Sequence, residues 1–212
     1  MKLKVCGLSK TVEVEACVEN KVNYCGFILN YPKSHRFISA DKAKALTNIE
    51  KKETKYVGVL VSPTDKEIET FSKLNLDFLQ LYGDYNNKSL AYIKKKFNKK
   101  IIASIQVKKK SDIEIYKKIE KEADIILWDS SGYAESLDWN YQWIKNVSTN
   151  VEKMIAGNIT TEKLNDLRNL ADIVDVSGAL ETNKVKDINK IKNFISEVKR
   201  INYENKEKSP FN

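Results

Sequence analysis

A thiol, a carboxylate and a guanidinium carry the chemistry that this sequence offers. Cys6 ends a short apolar run that begins at Leu3, and Gly7 follows it at once. A strand over residues 3–6 puts the thiol at its C-terminal tip, the edge where barrel and open α/β enzymes do their chemistry. Asp129 follows another apolar run, 124–128, and faces the same edge from a different part of the chain. Arg36 lies in the ten-residue connection 30–39 after the second strand-like run. That connection exceeds the usual ~2–6 residues of such loops, which favours a functional role. A guanidinium there is a planar, permanently charged fork for a carboxylate or phosphate, or one half of a surface salt bridge. Gly157 and Asn158 follow the seventh run, and Ser177 and Gly178 the eighth. Small residues on both turns leave backbone N–H groups open to a phosphate.

Eight apolar runs must position these groups: residues 3–6, 24–29, 56–61, 78–81, 101–107, 124–128, 153–156 and 172–176. Most are short and nearly continuous, as strands covered on both faces should be. Amphipathic stretches lie between them, at 11–19, 41–49, 65–74, 87–97, 112–121, 139–144, 161–170 and 187–201. In the first, Val12, Ala16 and Cys17 form the buried side and Glu13 and Glu15 the wet one. Strict alternation calls for a parallel sheet. The reading is α/β, a single (β/α)8 TIM barrel over residues 1–201, with a polar, loosely ordered tail at 202–212. A doubly wound sheet is the alternative, but the first turn lacks the GxGxxG fingerprint.

Composition excludes several classes. The chain has 212 residues, 42% hydrophobic and 31% charged, a soluble globular balance. No apolar run approaches the ~20 residues of a membrane span. Residues 1–3 lead directly into a strand with no signal-peptide core, so the expected compartment is cytoplasmic. The net charge of +8 comes almost wholly from lysine. With only Arg36, Arg168 and Arg200 as arginines, it reads as a solvated surface rather than a nucleic-acid interface. Cys6, Cys17 and Cys25 have neither zinc-site spacing nor the even count of a disulfide framework. Cys17 and Cys25 read as small buried hydrophobes. His35 reads as an exposed loop residue, and Trp128, Trp139 and Trp143 as packing residues.

Taken together, the pieces resemble phosphoribosylanthranilate isomerase of tryptophan biosynthesis, from Lys4 to about Ile195. The resemblance is carried by Lys4-Val5-Cys6-Gly7-Leu8, by Gly26-Phe27-Ile28, and by the run from Tyr31 to Ser39. Further pieces are Val57-Gly58-Val59, Leu79-Gln80-Leu81-Tyr82-Gly83, Asp129 with Leu137-Asp138-Trp139, Ala156-Gly157-Asn158, Asp175-Val176-Ser177-Gly178, and Val185-Lys186-Asp187. It implies an Amadori rearrangement of N-(5-phosphoribosyl)anthranilate to the 1-deoxyribulose 5-phosphate, with no cofactor and no metal. Asp129 matches the family's general acid and Cys6 its general base. Arg36 matches the residue that holds the anthranilate carboxylate. Gln80 and Asp175 match polar residues lining the site, and Gly157, Asn158, Ser177 and Gly178 fall on the phosphate loops. The expected partner is a phosphorylated small molecule, with no nucleic acid and no membrane. A monomer is expected, with a dimer left open.

The sequence departs from the family pattern at four places. Tyr82 stands for a usual histidine, Asn158 for the second glycine of its turn, and Gly178-Ala179 for serine and glycine. Residues 131–136 are poor in glycine. Related sugar isomerases with an aspartate at the first strand end are disfavoured by Cys6. An inactive scaffold is disfavoured by Cys6, Arg36 and Asp129 occurring together.

Overall fold

The computed structural model describes residues 1–130 and 137–207. Eight parallel strands close into a barrel in sequence order: β1 Lys2–Cys6, β2 Tyr24–Ile28, β3 Lys55–Val61, β4 Phe78–Tyr82, β5 Lys100–Val107, β6 Ile125–Ser130, β7 Glu152–Ile155 and β8 Ile173–Val176. This is the expected (β/α)8 architecture. Closure is made by β1 against β8, with Lys4 opposite Asp175 and Val5 opposite Val176. On the other side of β1, Cys6 is opposite Gly26.

The apolar runs become strands because both faces are dry. Alternate side chains point inward. Tyr24, Val57, Phe78, Ile102, Leu127 and Met154 belong to an inner cluster, with Tyr24 and Phe78 packed edge to face at 5.8 Å. The intervening residues, among them Val5, Phe27, Leu79, Ile126 and Trp128, join the larger layer beneath the helices. Polar groups are also enclosed: Lys4, Gln80 and Asp175 are 0, 1 and 6% exposed. Their position in an otherwise apolar wall is where the fold gives up packing for chemistry.

The connections hold more surprises than the strands. Helices α1 Thr11–Glu19, α2 Ala40–Thr47, α3 Asp65–Ser72 and α4 Asn87–Phe97 lie where they were expected. The face of α1 does not. Glu13 is buried and Val12 is exposed, because one Glu13 oxygen accepts from the backbone N–H groups of Ser9 and Lys10 at the start of the helix. Those two N–H groups would otherwise be orphaned, so the carboxylate turns inward as a cap.

After β5 and β6 the connections are 3-10 segments, Lys110–Lys118 and Tyr141–Ile144, instead of α-helices. In the first, the Trp128 indole donates to the Ile113 carbonyl at 3.3 Å, taking an acceptor that an α-helix would use internally. Ahead of the second, the Trp139 indole donates to the Ala156 carbonyl at 2.9 Å and the Tyr141 hydroxyl to that of Gly157. These bonds tie the connection to the end of β7 and leave room for one turn. The seventh helix is a 3-10 turn, Thr161–Lys163, followed by α5 Leu164–Leu167.

A two-stranded ribbon, β9 Glu181–Thr182 and β10 Val185–Lys186, follows β8 and was not expected. Its turn places Asn183 and Lys184 at φ of 52° and 63°, the geometry of a type I′ hairpin. The last helix, α6 Ile188–Glu207, continues past residue 201. There Asn202 bonds both the amino group and the carbonyl of Met1. Among the described residues no helix is long and apolar enough to cross a membrane.

Candidate active site

The C-terminal ends of the strands surround one cavity. Cys6, Arg36, Gln80, Asp129, Gly157, Asn158, Asp175, Ser177 and Gly178 all line it. Thus every candidate catalytic, substrate-binding and phosphate-binding residue of the sequence comes to one place, although their roles do not follow from position alone. Residues 131–136, the glycine-poor stretch after Asp129, lie outside the described residues.

Asp129 sits at the end of β6, separated from Cys6 by β7 and β8. One carboxyl oxygen accepts from the Tyr82 hydroxyl at 2.6 Å. The other accepts from the Ser130 backbone at 2.7 Å. Burial raises this carboxyl and the Tyr82 hydrogen bond opposes the rise, leaving it at about 6. A carboxyl so placed keeps a proton to a far higher pH than an exposed aspartate, as a general acid must. Tyr82, in turn, accepts from the Gln80 amide at 3.1 Å. At the position where a histidine was expected, a phenol therefore links β4 to the carboxyl on β6.

Cys6 is 8% exposed at the tip of β1. Burial pushes its thiol up, and the nearby Lys4 ammonium pulls it back without cancelling the rise. The resting thiol is protonated. Two glycines let this corner close. A Cβ on Gly26 would stand 2.9 Å from the Cys6 sulfur and 3.1 Å from the Lys4 nitrogen. Gly7 has φ of 76°, and a Cβ there would meet the Arg36 stem at 2.5 Å.

Arg36 is not a surface residue. It is 9% exposed and grips Glu181 with two nitrogens, Nε at 2.5 Å and Nη2 at 2.9 Å. Glu181 also holds Lys186 at 2.5 Å and His35 at 3.1 Å. Burial alone would raise the Glu181 carboxyl, but Arg36 and Lys186 outweigh it and hold the group at about 2. The exposed lone histidine thus has a partner, and the unforeseen ribbon supplies the anchor that orients the guanidinium. The signal for that ribbon was weak, since Asn-Lys is a poor predictor of a hairpin turn.

The turns after β7 and β8 keep their backbone donors but commit their side chains elsewhere. Asn158 adopts φ of 40°, a left-handed conformation that asparagine tolerates better than most residues. Its amide donates to Asp138 at 2.9 Å, and Lys163 also pairs with Asp138. The Ser177 hydroxyl donates to the Cys6 carbonyl at 2.9 Å, stitching β8 to β1. Two acceptors face the opposite situation. Gln80 Oε1 and Asp175 Oδ1 are buried without a hydrogen-bond partner among the described residues. Buried acceptors of that kind need an incoming donor.

Comparison with known proteins settles the family. The family model for N-(5'phosphoribosyl)anthranilate (PRA) isomerase matches residues 3–197. The chain belongs to this family. An N-(5'-phosphoribosyl)anthranilate isomerase from Streptococcus mutans is 34% identical over 94% of this chain and 99% of its own. One from Thermoanaerobacter pseudethanolicus is 31% identical over 95% and 99%. Among solved structures, the phosphoribosyl anthranilate isomerase of Thermotoga maritima superposes with a TM-score of 0.83 at 24% identity, covering 94% of this chain and 99% of its own. A phosphoribosyl anthranilate isomerase in complex with reduced 1-(o-carboxyphenylamino)-1-deoxyribulose 5-phosphate gives 0.80 at 23%, with the same coverage. At those identities the two structures speak for the fold of the isomerase family.

The Tyr82 contact is open to direct measurement. In Tyr82→Phe the carboxyl of Asp129 loses a donor that favours its charged form, so its titration midpoint should rise above about 6. Carbon-detected NMR of the Asp129 carboxyl reads this. An unchanged midpoint would mean that the phenol does not hold the carboxylate.

Proposed function

We infer that this chain isomerises N-(5-phosphoribosyl)anthranilate to 1-(2-carboxyphenylamino)-1-deoxyribulose 5-phosphate, a step of tryptophan biosynthesis, with Asp129 as general acid and Cys6 as general base. Membership of the isomerase family supports the reaction. The observation that carries the residue roles is a carboxyl held near 6 and a thiol on different walls of one cavity. The arrangement lies within a single chain, so a monomer suffices. The reading puts the reaction in the cytoplasm.

The chemistry has two proton transfers. Asp129 gives its proton to the ring oxygen of the ribose. The C1–O bond breaks, its electron pair stays on that oxygen, and the anilinic nitrogen lone pair forms the C1=N bond of a protonated Schiff base. Cys6, as thiolate, then takes the proton from C2. The C–H electrons become the C1=C2 bond and the C=N electrons return to nitrogen, giving an enolamine that tautomerises to the ketone. Arg36, braced by Glu181, receives the anthranilate carboxylate. Backbone N–H groups of the turns at Gly157-Asn158 and Ser177-Gly178 receive the phosphate. Ribose hydroxyls donate to Gln80 Oε1 and Asp175 Oδ1, the two acceptors of residues lining the cavity that are buried without partners among the described residues.

The active protonation state is the less populated one. Asp129 near 6 and Cys6 above its ordinary value favour carboxylate with thiol, whereas the reaction needs carboxylic acid with thiolate. The product of the two small fractions is constant between the two midpoints. The pH profile of kcat/KM is therefore expected to be flat from about 6 upward and to fall below it. A second fall is expected above the ordinary thiol range, the two limbs being properties of the pair. A profile that peaks sharply near neutrality would contradict this ordering.

The assignment itself is tested by generating phosphoribosylanthranilate in situ and following its fluorescence. The intact protein should consume it. Cys6→Ser and Asp129→Asn should each lower kcat about 10²–10⁴-fold, the usual worth of a positioned acid or base. Arg36→Met should act mainly on KM. No turnover by the intact protein would refute the reading.

A further inference from the structure

One ionised group in the barrel has no task in the reaction just described. Lys4 is fully buried. Its ammonium donates to Asp175 Oδ2 at 2.7 Å across the β1–β8 seam, and it lies beside the Cys6 thiol: the nitrogen and the sulfur stand 3.1 and 2.9 Å from one point, the place of a Cβ on Gly26. Lys4 and Cys6 are two residues apart on one strand, so both side chains enter the barrel on the same face. The missing side chain of Gly26 leaves the space in which the ammonium and the sulfur meet.

We propose that Lys4 is the positioning residue of Cys6: its ammonium, fixed between the Asp175 carboxylate and the Cys6 sulfur, is the counter-ion that the thiolate requires inside the barrel. The proposal rests on the assignment of Cys6 as the base. A thiolate in an apolar wall is costly unless a cation touches it. Lys4 is that cation, and Asp175 keeps it charged: burial lowers its pKa, but Asp175 and Cys6 outweigh burial and leave it raised. The rotamer of the lysine is set by Asp175, so the ammonium does not reorganise when the thiol ionises.

Other charged or titratable groups reach Cys6 from the elements around it. Asp175 on β8 disfavours the thiolate, Lys186 on β10 favours it, and Lys4 acts more strongly than either. Tyr82 on β4 shares the inner face with Cys6 as a neutral group that would resist a neighbouring anion, while Cys25 on β2 lies in the outer layer with Val5. A lysine serving only to fill the barrel would leave the behaviour of Cys6 unchanged on removal. A counter-ion would not.

The experiment is the pH dependence of Cys6 alkylation by iodoacetamide, read on the Cys6 peptide by mass spectrometry so that the buried Cys17 and Cys25 do not contribute. Below the midpoint, each unit of upward displacement removes tenfold of the thiolate. Lys4→Met should slow alkylation at neutral pH by at least about tenfold and displace the midpoint to higher pH. Lys4→Arg, which keeps the charge, should restore most of the rate. Lys4→Met/Asp175→Asn leaves no unpaired buried charge and provides a folded alternative should the single variant fail to fold. It should move Cys6 in the same direction, because Lys4 outweighs Asp175. If neither methionine variant changes the alkylation profile, the proposal is overturned. The plateau of kcat/KM should fall as well, by somewhat less than the alkylation rate, because losing Lys4 also raises Asp129. Alkylation that slows while kcat/KM holds would support the counter-ion and refute Cys6 as the base, so the two ideas fail separately.

Discussion

The contact on which the site depends is the ion pair between Lys4 and Asp175. It spans the seam where the first strand meets the last, and it lies in a wall otherwise built from apolar side chains. Removing either partner would strand a charge in a medium that cannot solvate it, at a cost of roughly 3–5 kcal/mol. The pair consequently ties barrel closure to the chemistry: the β1–β8 register puts Lys4 opposite Asp175, and Cys6, two residues on along β1, stands at the rim opposite Gly26 of β2. Ser177 adds a second stitch at the same seam by donating to the Cys6 carbonyl. Closure and the geometry of the thiol are therefore one constraint.

Away from the seam, the cavity is organised by two other fixed contacts. Tyr82 bridges Gln80 and Asp129, while Glu181 gathers Arg36, Lys186 and His35. Each holds a functional group by its neighbours before any ligand arrives, which lowers the cost of ordering it later. The acid is thus held by Tyr82 and the guanidinium by Glu181, while Lys186 and Ser177 connect the Glu181 cluster to the corner of Cys6.

The strands were legible because a parallel barrel buries both faces of each one, and continuous apolar runs follow directly. The rim residues were legible because a strand's end fixes which residues face the opening, and the family resemblance attached roles to them. The networks behind them were not. Lys4 lies in an apolar run, and nothing in its neighbours says that a lysine there turns inward. Glu181 and Lys186 meet Arg36 only through a short ribbon with a turn of weak signature. Glu13 misled for a related reason: periodicity assigns charge to water, whereas its carboxylate was claimed by two backbone N–H groups of its own helix start. The 3-10 connections escaped because Trp128, Trp139 and Tyr141 spend their polar atoms on distant carbonyls, which local spacing does not reveal.

The most direct measurement of the central claim is a crystal structure of this chain with reduced 1-(2-carboxyphenylamino)-1-deoxyribulose 5-phosphate. The expected complex has the anthranilate carboxylate on Arg36 and the phosphate on the backbone N–H groups after β7 and β8. Cys6 and Asp129 should face the sugar from opposite sides, with Lys4 still between Cys6 and Asp175. A sugar bound in the reverse sense, with its phosphate on Arg36, or one that leaves Cys6 or Asp129 out of reach of its carbons and oxygens, would contradict the assignment.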